Sequence, residues 1–257
     1  TNVTVLHELQ ERTALLLEAE RRARDEAEAA VRARDEFLSS VAHELKTPVT
    51  NLRGYAQLTT RRLARAGACD RQQVEEAMQV IDRQADRLAR LVMQLLDVSA
   101  LDAGRLELHK QTTDIAALAR AVVARAQPGM EGYPITLQVP PALEAHVDAE
   151  RLSWVLANLL DNAIRYSPGG TVIEVEVSAP NPETARLMVR DHGPGIPPEW
   201  RNRLFSRFYQ AQPGRPFAGL GLGLYLSRRI VELHGGRIEA EFPPDGGTRI
   251  VVELPRA

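Results

Sequence analysis

Apolar residues recur along the first hundred positions at alternating spacings of three and four. From Leu6 the series runs Leu6, Leu9, Thr13, Leu16, Glu20, Ala23, Ala27, Ala30, Arg34, Phe37 and Val41, and eight of these eleven are apolar. That period predicts a coiled-coil helix. Residues 1–36 also hold fifteen charged side chains and no Gly or Pro, so a solvated single helix stays open as the alternative. An Ala-rich middle interrupted by Glu20 and Arg34 makes the seam weak, which suits a helix that changes its packing to pass a signal. The pattern continues to residue 66, breaks at Ala66-Gly67-Ala68, and resumes as Val74, Met78, Ile81, Ala85, Leu88, Val92, Leu95 and Ser99. Two long helices joined by a short loop form an antiparallel hairpin. A lone hairpin has two apolar seams and one partner, so a second copy completing a four-helix bundle is the expected burial, and with it a homodimer.

Beyond residue 110 the period changes. Pro48 is the one proline before this point, and the other fifteen follow it. Ile135 to Val139 and the alternating Ile173-Glu174-Val175-Glu176-Val177 predict strands, as do Thr184 to Arg190, Arg237 to Phe242 and Thr248 to Leu254. Helices are expected over 114–126, 149–166, 198–209 and 222–234, the last closing at His234-Gly235-Gly236. The expected fold class is thus α plus α/β: a coiled-coil helix, a helical hairpin, then a mostly antiparallel sheet under one layer of helices.

Composition removes several function classes. The 257 residues carry 32 basic and 34 acidic side chains for a net charge of −2, so bulk charge gives no support for nucleic-acid binding. Cys69 is the one cysteine, which excludes a disulfide framework and a cysteine-held zinc. No apolar run reaches the length of a membrane span, and no charged-then-apolar leader opens the chain. The first residue is Thr1 rather than Met, so a piece of a longer protein is expected. Lys46 and Lys110 are the only lysines and neither sits in a GxxxxGK loop, which excludes a P-loop nucleotidase.

Four segments carry chemistry. In Phe37-Leu38-Ser39-Ser40-Val41-Ala42-His43-Glu44-Leu45-Lys46-Thr47-Pro48, His43 falls two residues past the seam position Val41 and should face outward. An exposed imidazole on a rigid helix is a reachable nucleophile, and Glu44 beside it can accept the proton of the other ring nitrogen. Thr47, one turn on, can hold a water. Pro48 in mid-helix frees a carbonyl and implies a local bend. In the helix 149–166, Asn158, Asp161, Asn162 and Arg165 share one stripe opposite the apolar Val155, Leu156, Leu159, Leu160, Ala163 and Ile164. Amide oxygens there can ligate Mg²⁺ and Arg165 can meet phosphate.

Asp191-His192-Gly193-Pro194-Gly195 directly follows a strand, where a carboxylate can accept a hydrogen bond from an exocyclic amine. Gly219-Leu220-Gly221-Leu222-Gly223-Leu224 opens a helix, and its bare N–H groups can close on phosphate. A dinucleotide fingerprint does not fit, since the spacing is GxGxG and no strand precedes it. Phe205 and Phe208 suit the core, residues 210–218 suit a nucleotide lid, and Gly246-Gly247-Thr248 adds a last turn.

With these residues in order, the chain resembles the catalytic half of a bacterial sensor histidine kinase of a two-component system. The resemblance runs from about residue 35 to the C-terminus and implies three parts. These are a coiled-coil signalling helix (1–35), a dimerisation and histidine phosphotransfer hairpin (36–103), and a Bergerat-type (GHKL) catalytic ATP-binding domain (104–257). It implies that His43 is the phosphoacceptor, Glu44 the general base, and Thr47 a helper in hydrolysing the phosphorylated regulator. Asn158 and Asn162 resemble the asparagine-box residues, with Asn162 the Mg²⁺ ligand, and Arg165 and Tyr166 follow as nucleotide contacts. Asp191 resembles the adenine-reading carboxylate, with Gly193 and Gly195 around it. Gly219, Gly221, Gly223 and Leu224 resemble the second glycine box, and Thr248 the last one. His192 and Arg165 stand where relatives often carry asparagine and lysine.

The cofactors implied are ATP and Mg²⁺, and the partners a second copy, a response-regulator receiver domain and an upstream sensor, with a cytoplasmic location for this portion. The segment Leu101 to Arg105, with Gly104, is the expected hinge for the catalytic domain. The rivals are the hydrolytic ATPases sharing the nucleotide fold, which lack a hairpin bearing His-Glu-x-x-Thr-Pro, a degenerate scaffold, and a member acting chiefly as a phosphatase.

Overall fold

In the computed structural model, residues 2–64, 71–126, 132–209 and 220–256 are described, with side chains described only in part before Leu38. The loop carrying Gly67 and Cys69, and the 210–218 segment with Gly219, lie outside the described residues, as does most of the 6–37 seam. The chain divides into two compact units, Thr1–Leu88 and Ala89–Ala257, with the boundary inside the second helix.

The first unit is built from α1 (Asn2–Ala64) and the front of α2 (Arg71–Asp102). Helix α1 remains helical through Pro48, so the proline does not terminate it. Of the expected α2 seam, Val74, Ile81, Leu88 and Leu95 are half-buried. Ala77, Leu91 and Val98 are buried, whereas Met78 and Val92 of the predicted seam are 47% and 43% exposed. The spacing of three and four marks the apolar stripe, and only tertiary contact decides how deeply each position is covered. Leu38, Val49, Tyr55, Leu58, Leu63 and Met78 remain exposed in this unit.

The second unit holds a five-stranded sheet in the order β2-β4-β5-β7-β6 and a separate pair β1-β3. The strands are β1 (Gln111–Asp114), β2 (Ile135–Gln138), β3 (Glu144–Val147), β4 (Ile173–Asn181), β5 (Thr184–Asp191), β6 (Arg237–Glu241) and β7 (Thr248–Pro255). Strands β2 and β4 pair in parallel; the other pairings are antiparallel. Helices α3 (Ile115–Ala126), α4 (Ala149–Tyr166) and α6 (Gly223–Leu233) bury Ile115, Leu152, Leu156, Leu160, Leu226 and Ile230. Their partners from the sheet are Ile173, Val175, Leu187, Val252 and Leu254. The clean alternation in β4 and β7, buried on odd-numbered and even-numbered positions respectively, follows from one face meeting this layer.

Two helix starts are fixed by aspartates. Asp114 Oδ1 accepts from Ala116 N, Ala117 N and Leu143 N, capping α3 and tying it to the β2–β3 connection. Asp148 Oδ1 accepts from Arg151 N and Oδ2 from His109 N, capping α4.

The structure departs from the expected elements in two places. Strands β1 and β3 were not expected; each has four residues and they pair only with each other, too short for a period-2 signal. The expected helix 198–209 shrinks to α5 (Pro198–Arg201). After it, successive i to i−3 bonds (Arg203 N to Trp200 O, Leu204 N to Arg201 O, Ser206 N to Arg203 O) replace the α ladder. Phe208 then enters the left-handed region at φ 63°, which no α-helix continues.

Candidate nucleotide and phosphoacceptor sites

Helix α4 supplies the first part of the candidate nucleotide site. Asn158 and Asn162 are half-buried, while Asp161 and Arg165 are exposed, so the polar stripe lies at the edge of the helix–sheet core. Asn158 Nδ2 donates to Ser227 Oγ of α6 at 3.0 Å, and Ser227 is fully buried. This hydroxyl, four residues past Gly223, escaped the sequence analysis, although its place one turn into the glycine-opened helix was a usable signal. Gly223 is needed for the same contact. A Cβ there would lie 2.2 Å from Asn158 Oδ1, closer than real side chains approach. The glycine segment and the asparagine stripe are thereby brought together. Leu224 lies in the first turn of the same helix, and Gly221, at φ 65°, directly precedes its N-cap Leu222.

The strand end of β5 supplies the second part. Asp191 Oδ1 accepts from Gly193 N at 2.9 Å and from Thr248 N at 3.1 Å, while Gly247 N donates to Gly193 O at 3.0 Å. Asp191, Gly193, Gly195, Gly247 and Thr248 therefore form one corner, and the Tyr166 carbonyl at the end of α4 packs against Gly193. Burial pushes the Asp191 carboxyl above the ordinary carboxylate range, outweighing the two backbone donors. With Oδ1 committed, Oδ2 is the oxygen left to receive a ligand's N–H.

The histidine segment is in the first unit. His43 is exposed on α1, as its offset from Val41 predicts. Glu44 is largely covered, at 15% side-chain exposure, and its Oε2 pairs with Arg87 of α2 at 3.0 Å. The described partner of Glu44 is therefore an arginine that sequence spacing did not single out, since the pair is 43 residues apart. Thr47 donates its hydroxyl to the His43 carbonyl at 3.2 Å. Among the described residues no cluster of three or more His, Cys, Asp or Glu is arranged to hold a metal, and no helix is long and apolar enough to cross a membrane.

Two family models match: "His Kinase A (phospho-acceptor) domain" over residues 33–104, and "Histidine kinase-, DNA gyrase B-, and HSP90-like ATPase" over residues 147–257. Together they account for well over half of the sequence. The chain belongs to the sensor histidine kinases. Among curated relatives, the sensor histidine kinase TmoS of Ectopseudomonas mendocina is 35% identical over 87% of this chain but 23% of its own length. The sensor protein KdpD of Escherichia coli K12 is 34% identical over 87% of this chain and 24% of its own. The chain thus spans about a quarter of the length of these sensor kinases. Among solved structures, full-length ShkA in complex with AMPPNP is similar at 28% identity and a TM-score of 0.61, covering 86% of this chain and 46% of that one. The α/β unit is accordingly the Bergerat-type ATPase fold of the histidine kinases, as the resemblance implied. A histidine kinase hairpin and this fold in one chain count against the hydrolytic ATPases that share only the second.

Proposed function

We propose that this chain is the kinase core of a two-component sensor, which phosphorylates His43 from Mg·ATP and passes the phosphoryl group to an aspartate of a response-regulator receiver domain. The observation that carries this reading is the pairing of an exposed His43 in the phosphoacceptor module with a half-committed Asp191 carboxylate in the ATPase module. Asp191 Oδ2 would accept the adenine amine, in a corner that Gly193 and Gly247 keep free of side chains. Asn158, Arg165, Tyr166 and the backbone N–H groups of Gly219, Gly221, Gly223 and Leu224 would hold the rest of the nucleotide, and α6 would present its positive N-terminal end to phosphate. Thr248 contributes the N–H that orients Asp191.

The residues present fit Mg²⁺, which takes few protein ligands and keeps water and phosphate oxygens. Asn162 would hold it, and bound there it would neutralise charge on the phosphates. The first step is an in-line displacement: a His43 ring nitrogen attacks the γ-phosphorus, the bond from phosphorus to the bridging oxygen breaks, and ADP leaves. Glu44 accepts the proton from the other ring nitrogen. Arg87 pairs with Glu44 Oε2, and Oε1 is the oxygen that would take the imidazole proton. In the second step the receiver aspartate takes the phosphoryl group from phosphohistidine. Toward the phosphorylated regulator, Thr47 would hold the hydrolytic water: its hydroxyl donates to the His43 carbonyl, and the oxygen can still accept from a water.

The proposed working unit is a homodimer, supported by the exposed Leu38, Val49, Leu58, Leu63 and Met78 on the hairpin. The proposed domain boundaries remain 1–35, 36–103 and 104–257, with a sensor upstream and this portion in the cytoplasm, where ATP is available. The test is incubation with γ-labelled Mg·ATP, wild type against His43→Gln. Acid-labile, base-stable label lost in the variant is the expected result. Label that persists in His43→Gln would overturn the assignment.

A further inference from the structure

The corner around Asp191 is braced on two sides, and only one of these belongs to the glycine motifs. From the β7 side come the bonds of Gly247 N to Gly193 O and Thr248 N to Asp191 Oδ1. From the opposite side, β4 reaches over: His192 Nε2 lies 2.8 Å from Glu174 Oε1. A carboxylate can only accept, so Nε2 carries the proton and donates. Glu174 is the cross-strand partner of Arg190, and Arg190 Nη1 lies 3.8 Å from Glu174 Oε1. Arg190 also pairs through Nη2 with Asp245, which immediately precedes the Gly246-Gly247 turn. The contacts close a circuit: Glu174 to His192, along the backbone to Gly193, across to Gly247, back through Asp245 and Arg190 to Glu174. Arg190 and His192 flank Asp191 along the chain, so the circuit holds its backbone from both sides.

We propose that Glu174 and His192 are positioning residues for nucleotide-base recognition, and that their contact sets how strictly the Asp191 corner selects adenine over a 6-oxopurine. This rests on the reading that Asp191 Oδ2 accepts the adenine amine. Adenine offers a donor at position 6, whereas hypoxanthine and guanine offer an acceptor there. A carboxylate fixed in place meets the wrong base with an oxygen facing an oxygen, and the buried group goes unpaired. A carboxylate on a loosened loop can turn aside and tolerate it. His192 is the lever because it is the residue between Asp191 and Gly193, so any shift of its backbone moves both the carboxylate and its Gly193 donor. As an ordinary surface ion pair, the contact would contribute little and would leave base selectivity untouched.

The experiment uses the full chain and measures dissociation constants for Mg·ATP and Mg·ITP by calorimetry. The variants are Glu174→Ala, Glu174→Gln, His192→Ala and Asp191→Asn. Tryptophan fluorescence in urea serves as the folding control, since Trp154 and Trp200 both report on the second unit. The expected result is a narrowing of the ATP-over-ITP preference by about tenfold in Glu174→Ala and His192→Ala. Glu174→Gln, which keeps an acceptor for His192, should recover most of it. In autophosphorylation the loss should fall on the KM for ATP more than on kcat. An unchanged preference in both alanine variants, while Asp191→Asn abolishes it, would overturn the positioning role and leave the adenine reading standing. An Asp191→Asn variant that keeps the full preference would overturn the adenine reading itself, and the positioning role with it.

Discussion

Gly246 and Gly247 offer a controlled comparison of backbone strain and steric overlap beside the Asp191 corner. Both are left-handed, at φ 93° and φ 77°. An alanine in that region costs about 1 kcal/mol over glycine at either position. Their surroundings differ. A Cβ at Gly246 would meet nothing closer than Gly193 O at 3.9 Å, an ordinary contact. At Gly247 it would lie 2.0 Å from the Asp191 carbonyl oxygen and 3.0 Å from the His192 Cα, both backbone atoms that no rotamer change can move. The turn must then shift by more than an ångström, which removes the 3.0 Å bond from Gly247 N and the 3.1 Å bond from Thr248 N to Asp191. Overpacking and two lost hydrogen bonds together add about 2–4 kcal/mol to the strain. Gly246→Ala should therefore lose about 1 kcal/mol of stability, with nucleotide affinity within about twofold of wild type. Gly247→Ala should lose about 3 kcal/mol or more and at least about tenfold in ATP affinity. Urea unfolding followed by tryptophan emission reads the first quantity and calorimetric titration with Mg·ATP the second. Equal losses in the two variants would refute the overlap argument, and a Gly247→Ala variant with wild-type affinity would refute the role of this turn.

Three further outcomes are expected. Buried His234 accepts from Asp148 N through Nε2 and donates from Nδ1 to Ile230 O, and burial holds its pKa below the ordinary histidine value. The unfolded chain therefore binds a proton that the folded one excludes, so stability should fall as pH drops below about 6.5 and His234→Gln should flatten that slope in urea titrations at pH 5–8. Arg151 pairs with Asp97, which is only 4% exposed, at 2.7 Å; Arg151→Ala should destabilise the second unit by about 3 kcal/mol, and Arg151→Ala with Asp97→Leu should recover part of the loss in the same unfolding assay. Gly104 ends α2 at φ 63° with open space around it, so Gly104→Ala should lose only about 1 kcal/mol and keep its ATP affinity in calorimetry.

Much of this protein was determined by local sequence. Helix α4 has the bounds expected from its apolar stripe, because Asp148 caps it and Ser167-Pro168 ends it. Strand β4 followed from strict alternation, and the exposure of His43 from its offset against Val41. The asparagine stripe, the Asp191 loop and the glycine-opened helix were legible for the same reason: each is one short segment whose chemistry is carried by neighbouring residues.

What the tertiary structure decided is whatever depends on distant pairs. The Arg87 partner of Glu44 comes from another helix, and the Ser227 partner of Asn158 is 69 residues away. Strands β1 and β3 exist only because each supplies the other's hydrogen bonds. The helix expected over 198–209 gave way to tight turns once Leu204 was drawn into the core and Phe208 into a left-handed conformation. On α2, periodicity marked the apolar stripe, and packing buried Ala77, Leu91 and Val98 beside it while it half-buried Val74, Ile81, Leu88 and Leu95 and left Met78 and Val92 exposed. Short-range periodicity states which faces are apolar; the entropy of closing long loops is offset only by contacts that form in three dimensions, and those contacts set the partners.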